Sequence, residues 1–126
     1  MNKLFHYFLC PSSRFTRIIL IEKKIDFDLF IENFSDPTED YLFKNPAGFF
    51  PVLNTSFNEN IVGSLVIVEY LQNLMLPPTL MIKKNENEIR RLLFWFETNF
   101  KNEIIIPLLK EKAVSYTHLR AHETYD

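Results

Sequence analysis

The sequence predicts an α/β fold, a domain of order β-α-β-α-β-β-α followed by one long helix. Three observations predict it. Four short apolar or aromatic runs, Lys3–Leu9, Phe27–Glu32, Val52–Leu53 and Asn60–Val62, have strand length and strand-favouring residues. Capped segments with one apolar face lie between them. Leu76-Pro77-Pro78-Thr79 then separates this alternating part from a stretch with a single long amphipathic stripe.

Lys3–Leu9 is aromatic-rich and reads as a buried strand, broken by Cys10-Pro11-Ser12-Ser13. Ser12 or Ser13 can cap the helix that follows, with Phe15, Ile18 and Ile19 on its apolar face. Arg14, Arg17, Glu22, Lys23 and Lys24 supply its wet side, and it ends near Lys24. With Phe27–Glu32 behind it, the spacing suggests a parallel strand–helix–strand unit. Asp36 caps the next helix, with Pro37 at its first position and Glu39 closing a capping box. That helix covers Asp40 to Lys44 and packs Tyr41, Leu42 or Phe43. Val52–Leu53 and Asn60–Val62 form a hairpin across the polar turn Asn54–Glu59. Ser64 caps a helix with Ile67, Tyr70 and Leu71 on its apolar face. This element order is that of a thioredoxin-like domain. Beyond the linker, Ile89, Leu92, Leu93, Phe96 and Phe100 form a core-facing stripe on a helix near Asn85 to Asn102, with Trp95 off the stripe. Pro107 ends or kinks it.

The expected organisation is a domain over 1–76, a linker over 77–84, the start of a helical domain over 85–113 and a separate tail over 114–126. With 126 residues, 47% of them hydrophobic, the chain can bury a globular core. Its net charge of −2, with no basic block, speaks against nucleic acid as a partner. A single cysteine rules out an intrachain disulfide framework and fits a reduced, cytoplasmic setting. No apolar run reaches membrane length, and the start is too short and polar for a signal peptide. No carboxylate pair and no Cys/His cluster suggests a hydrolase or a metal site.

The stretch Asn45-Pro46-Ala47-Gly48-Phe49-Phe50-Pro51-Val52-Leu53 organises the chain. Pro46-Ala47-Gly48 is turn chemistry. Pro51 lacks a ladder donor, so it opens a strand or lies on an edge. A cis Phe50–Pro51 bond would leave the Phe50 backbone free for an extended ligand, whereas trans is the commoner isomer for any X-Pro bond. Asn-Pro-x-Gly-x-x-Pro-Val-Leu, downstream of Leu9-Cys10-Pro11-Ser12-Ser13-Arg14-Phe15-Thr16-Arg17, resembles the glutathione S-transferase superfamily. The resemblance covers about the first two thirds of the chain. It implies a cis proline at Pro51, with the Phe50 backbone on the cysteinyl group of glutathione.

The same resemblance points to further site residues. Cys10 precedes a helix start, where partial positive charge favours a thiolate, and Cys10-Pro11 is similar to the cysteine-type transferase motif. Ser13 stands where a second cysteine would be, so only monothiol chemistry is open. Ser12 and Ser13 match the hydroxyls that serine-type transferases aim at the glutathione thiolate, and plain capping is their alternative role. Tyr7 occupies the strand where other classes place a tyrosine, but core packing suits it better. Ser64 matches the serine that holds the γ-glutamyl carboxylate at a helix start. The residue before it, which in the family is Glu or Gln, is Gly63.

Two functions follow. One is glutathione binding with conjugation or thiol transfer to small electrophiles, glutathione being the substrate and a homodimer the form of the longer protein. The other is a non-catalytic binding protein on the same fold. Arg90-Arg91-Leu92-Leu93-Phe94-Trp95-Phe96-Glu97 and Pro107-Leu108-Leu109-Lys110-Glu111-Lys112 resemble a bacterial transferase-like cell-division factor that binds the tubulin-like division protein. Residues 114–126 are expected to stand apart. Val114–Thr124 back-translates to a stretch that resembles a sequencing-library adapter read in frame, so His118 and His122 are not expected to bind metal.

Overall fold

The structure, a computed structural model, describes residues 1–79 and 82–112. The expectations for 114–126 lie outside the described residues. Four strands, β1 (Asn2–His6), β2 (Phe27–Ile31), β3 (Val52–Asn54) and β4 (Asn60–Val62), form one sheet in the order β2-β1-β3-β4. β1 runs parallel to β2, with Leu4 opposite Leu29, and antiparallel to β3, with Leu4 opposite Leu53. β3 and β4 are the expected antiparallel hairpin. α1 (Pro11–Glu22) makes the crossover between the two parallel strands, α2 (Glu39–Lys44) precedes β3, and α3 (Ser64–Asn73) follows β4. Among the described residues, no helix is long and apolar enough to cross a membrane.

The core divides in two. Leu4, Ile19, Leu20, Leu53, Ile67, Val68 and Leu71 pack α1 and α3 onto one face of the sheet. Cys10, Tyr41, Phe50, Val52 and Leu109 form a second cluster on the other side of the sheet's centre, where aromatic rings dominate. Alternation along β1 explains the split, since neighbouring strand residues point to opposite faces: Leu4 joins the first cluster and Phe5 packs against the second.

Several elements differ from expectation. β1 stops at His6 because the chain turns, with the Cys10 N–H bonded to the Tyr7 carbonyl at 3.1 Å. Ser12 and Ser13 do not cap α1; Cys10 occupies the cap position and Pro11 opens the helix, where its missing donor costs nothing. Ile18 is exposed, and Thr16 takes its place in the buried face. Lys23 is buried rather than wet, because its ammonium bonds the Leu76 and Pro78 carbonyls at 2.8 and 3.0 Å and ties α1 to the linker. The cap of α2 is Thr38, not Asp36: its hydroxyl accepts from the Tyr41 N–H at 3.2 Å. Gly63, not Ser64, caps α3.

The largest difference lies beyond the linker. A 3-10 turn (Lys83–Asn85) leads into α4 (Glu86–Trp95), and the expected α-helix then widens into a π-helix over Phe96–Ile105. Residues 106–112 return to α-helix, so Pro107 does not end the element. Proline removes a donor from the α ladder, and the wider turns stand directly before it. Ile89 and Leu93 of the predicted stripe pack on the first core cluster, while Leu92 stays exposed.

Candidate functional site

The turn before β3 builds one wall. Gly48 adopts φ 70, the left-handed conformation that glycine tolerates. Its N–H closes the turn on the Asn45 carbonyl at 2.9 Å. Two donors then hold the Phe49 carbonyl, the Tyr41 hydroxyl and the Asn45 amide, the latter at 2.6 Å. Burial pushes the Tyr41 phenol well above its ordinary value, so it remains a donor. The Phe50 ring stacks on Tyr41 with centroids 4.9 Å apart, and the Phe50–Pro51 peptide is cis. The Pro51 carbonyl accepts the Gly63 N–H at 2.9 Å, which fixes the start of α3 beside this turn.

The starts of α1 and α3 share one carboxylate. Ser12, at 2% exposure, donates its hydroxyl to Glu97 Oε1 at 2.9 Å. Ser64 is fully buried and donates to the same oxygen. Lys101 Nζ lies 3.4 Å from the other oxygen, Glu97 Oε2, and 5.7 Å from the centre of the Phe49 ring. Both charged side chains are about nine-tenths buried, with 11% of Glu97 and 10% of Lys101 exposed. The π-helix supplies both, one turn apart. Ser13 faces elsewhere: its oxygen accepts the Tyr7 N–H at 3.3 Å.

Cys10 stands apart from this carboxylate. Its thiol is buried against Tyr41, Phe50, Val52 and Leu109. It also lines a cavity of about 440 Å³, with Phe8, Ile18, Ile105 and Leu108 as apolar wall and Arg14 as a cation. The structure therefore brings Ser12, Pro51, Gly63 and Ser64 together at the two helix starts, and places Cys10 and Phe50 in the neighbouring aromatic cluster. Sequence reasoning missed Glu97 and Lys101 as site residues. Neither carries a local signal: each reads as a charged residue on an amphipathic helix, and the hydroxyls that meet Glu97 come from 85 and 33 residues away.

Residues 4–78 match the N-terminal domain of glutathione S-transferases. The chain belongs to the glutathione S-transferase family. FtsZ-localized protein A of Caulobacter vibrioides is 33% identical over 114 residues, which are 86% of this chain and 50% of that protein. A glutathione S-transferase structure from Rhodospirillum rubrum superposes with a TM-score of 0.79 at 34% identity, over 92% of this chain and 53% of its own. The structure of FzlA from C. crescentus gives 0.76 at 33% identity, over 95% and 55%. The chain thus spans about half the length of these relatives.

Proposed function

We propose that the chain is a protein-binding module on the glutathione S-transferase fold, with a tubulin-like division protein as partner. Gly63 carries this reading. The family pattern has an acidic or amide side chain at this position, to meet the γ-glutamyl ammonium of glutathione. No such group is present, although a Cβ at Gly63 would meet nothing within 4 Å. Loss of a charge-assisted partner worth about 1.5–3 kcal/mol weakens affinity about 10–150-fold. The relative named FtsZ-localized protein A supports the class of partner. Co-sedimentation of the full chain with purified FtsZ filaments tests the reading, beside retention on immobilised glutathione and conjugation of a chloronitroarene. Pelleting without retention or turnover is expected; retention with turnover and no pelleting overturns it.

A second reading keeps glutathione as substrate, with monothiol chemistry on small electrophiles and a homodimeric, cytoplasmic longer protein. Cys10 favours it, because the thiol stands at the start of α1 and lines the 440 Å³ cavity. On this reading Cys10→Ser abolishes turnover and leaves filament binding unchanged.

A further inference from the structure

We propose that His6 is a proton-operated latch on the Phe8 wall of the 440 Å³ cavity: protonation expels Arg17 and lets the wall open toward Cys10. His6 is fully buried at the end of β1, and the Glu32 N–H holds its carbonyl at 2.9 Å. A guanidinium has only donors, so Arg17 Nη1 donates to Nδ1 across 3.3 Å and the neutral ring carries its proton on Nε2. That nitrogen is buried without a partner. The Phe8 ring stands edge-on to the His6 ring, with centroids 5.0 Å apart, and the Arg17 guanidinium lies over it at 6.0 Å. Phe8 also lines the cavity, as does Cys10, which is 1% exposed.

A second ring proton destroys the latch. Nδ1 becomes a donor and can no longer accept from Arg17. Two cations would then stand 3.3 Å apart in a buried setting, where like charges repel strongly. From β2, the Glu32 carboxylate is turned to the Thr38 N–H and hydroxyl, at 3.1 and 2.9 Å. On the cavity side the charged groups are Arg14 and Lys112, both cations. His6 is fixed in an inner strand, whereas Arg17 is half-buried on α1, so Arg17 is the group that leaves. Phe8 then loses the cation over its ring. It is 54% exposed, in a turn closed by the bond from the Cys10 N–H to the Tyr7 carbonyl. Such a turn can open without global unfolding. Burial, and then Arg17, lower the His6 pKa from 6.5, so the latch is shut at neutral pH and opens as pH falls below that value. The device is independent of which partner or substrate the chain takes.

The rate at which Cys10 of the full chain reacts with dithiodipyridine tests the latch at pH 7.5 and pH 5. Each rate is divided by that of the urea-unfolded chain at the same pH, which removes the thiol's own pH dependence. Urea unfolding at both pH values gives the globally unfolded fraction. The normalised rate is expected to rise at pH 5 by at least about fivefold more than that fraction does. In His6→Phe the excess rise vanishes. If His6→Phe fails to fold, His6→Gln decides, since its amide oxygen still accepts from Arg17 and does not titrate. Arg17→Ala strips the cation from Phe8, so it should react faster than the unmodified chain already at pH 7.5, with little further gain at pH 5. A normalised rate that only follows the unfolded fraction overturns the inference, and so does an excess rise that persists in the folded His6 variant.

Discussion

Ser12 donates its hydroxyl to Glu97 Oε1 across 2.9 Å, although 85 residues separate the two in the chain. The bond joins the start of α1 to the π-helix and is part-buried, so its energy is not lost to solvent. A hydrogen bond to a charged group contributes about 1.5–3 kcal/mol. Ser12→Ala should therefore destabilise by about 1–2 kcal/mol in urea unfolding, and far less when Glu97 is already Ala. The double-mutant cycle is expected to return a coupling of about 1 kcal/mol or more. Additive losses would show that the contact contributes nothing to stability.

Tyr41 makes stability fall in alkali. Its folded-state pKa is raised above the ordinary 10.0 chiefly by burial. The folded chain keeps the proton where the unfolded chain releases it. Stability is thus fully present below about pH 10 and is lost as pH rises toward the folded value. Tyr41→Phe removes this slope. At neutral pH it should cost only about 0.5–1.5 kcal/mol, because Asn45 still holds the Phe49 carbonyl at 2.6 Å. Urea midpoints at pH 8 and pH 10.5 for both chains check the two statements.

His6 has the opposite sign. It is fully buried, its Nδ1 is 3.3 Å from Arg17 Nη1, and its Nε2 has no hydrogen-bond partner. Burial first, and then Arg17, lower its pKa from 6.5. Below that value the unfolded chain takes up the proton more readily than the folded one. The stability that His6 contributes is therefore present above about pH 6.5 and lost as pH falls through the folded pKa. In His6→Phe, the drop in thermal midpoint between pH 7 and pH 5 should be smaller than in the unmodified chain.

The fold was legible because its signals are local. Strand composition, apolar periodicity and proline placement located all four strands and the helices packed on them. The helix caps lie one to three residues from the residues that look like caps, and at α1 and α3 the reason is tertiary. Ser12 and Ser64 look like caps in isolation, but their hydroxyls go to Glu97, and Cys10 and Gly63 take the cap positions. Glu97 itself reads as surface charge on an amphipathic helix. Only two hydroxyls brought from 85 and 33 residues away make it a buried group. The π-helix was equally hidden, since a hydrophobic stripe with 3- and 4-residue steps predicts α-helix.

Gly63 adopts φ 88 and ψ 145, a conformation that side-chain-bearing residues rarely hold. Both of its backbone groups are engaged: its N–H bonds the Pro51 carbonyl at 2.9 Å, and its carbonyl accepts the Ile67 N–H at 3.0 Å. The backbone is therefore pinned and cannot relax to negative φ without losing the cap of α3. Space is not the obstacle, since a Cβ would meet no atom within 4 Å. The cost of a side chain here is conformational, about 1–3 kcal/mol. Gly63→Ala should lower unfolding stability by that amount. Gly63→Glu, which introduces the acidic side chain of the family pattern, should lose as much and somewhat more, because it adds negative charge next to Ser64 and its partner Glu97. Measuring both variants with and without Glu97→Gln separates the two causes. The excess loss of the Glu variant should vanish once Glu97 is neutral, while the loss common to Ala and Glu should persist. If Gly63→Ala is as stable as the unmodified chain, the positive φ carries no strain, and the missing acid has a cause other than the backbone.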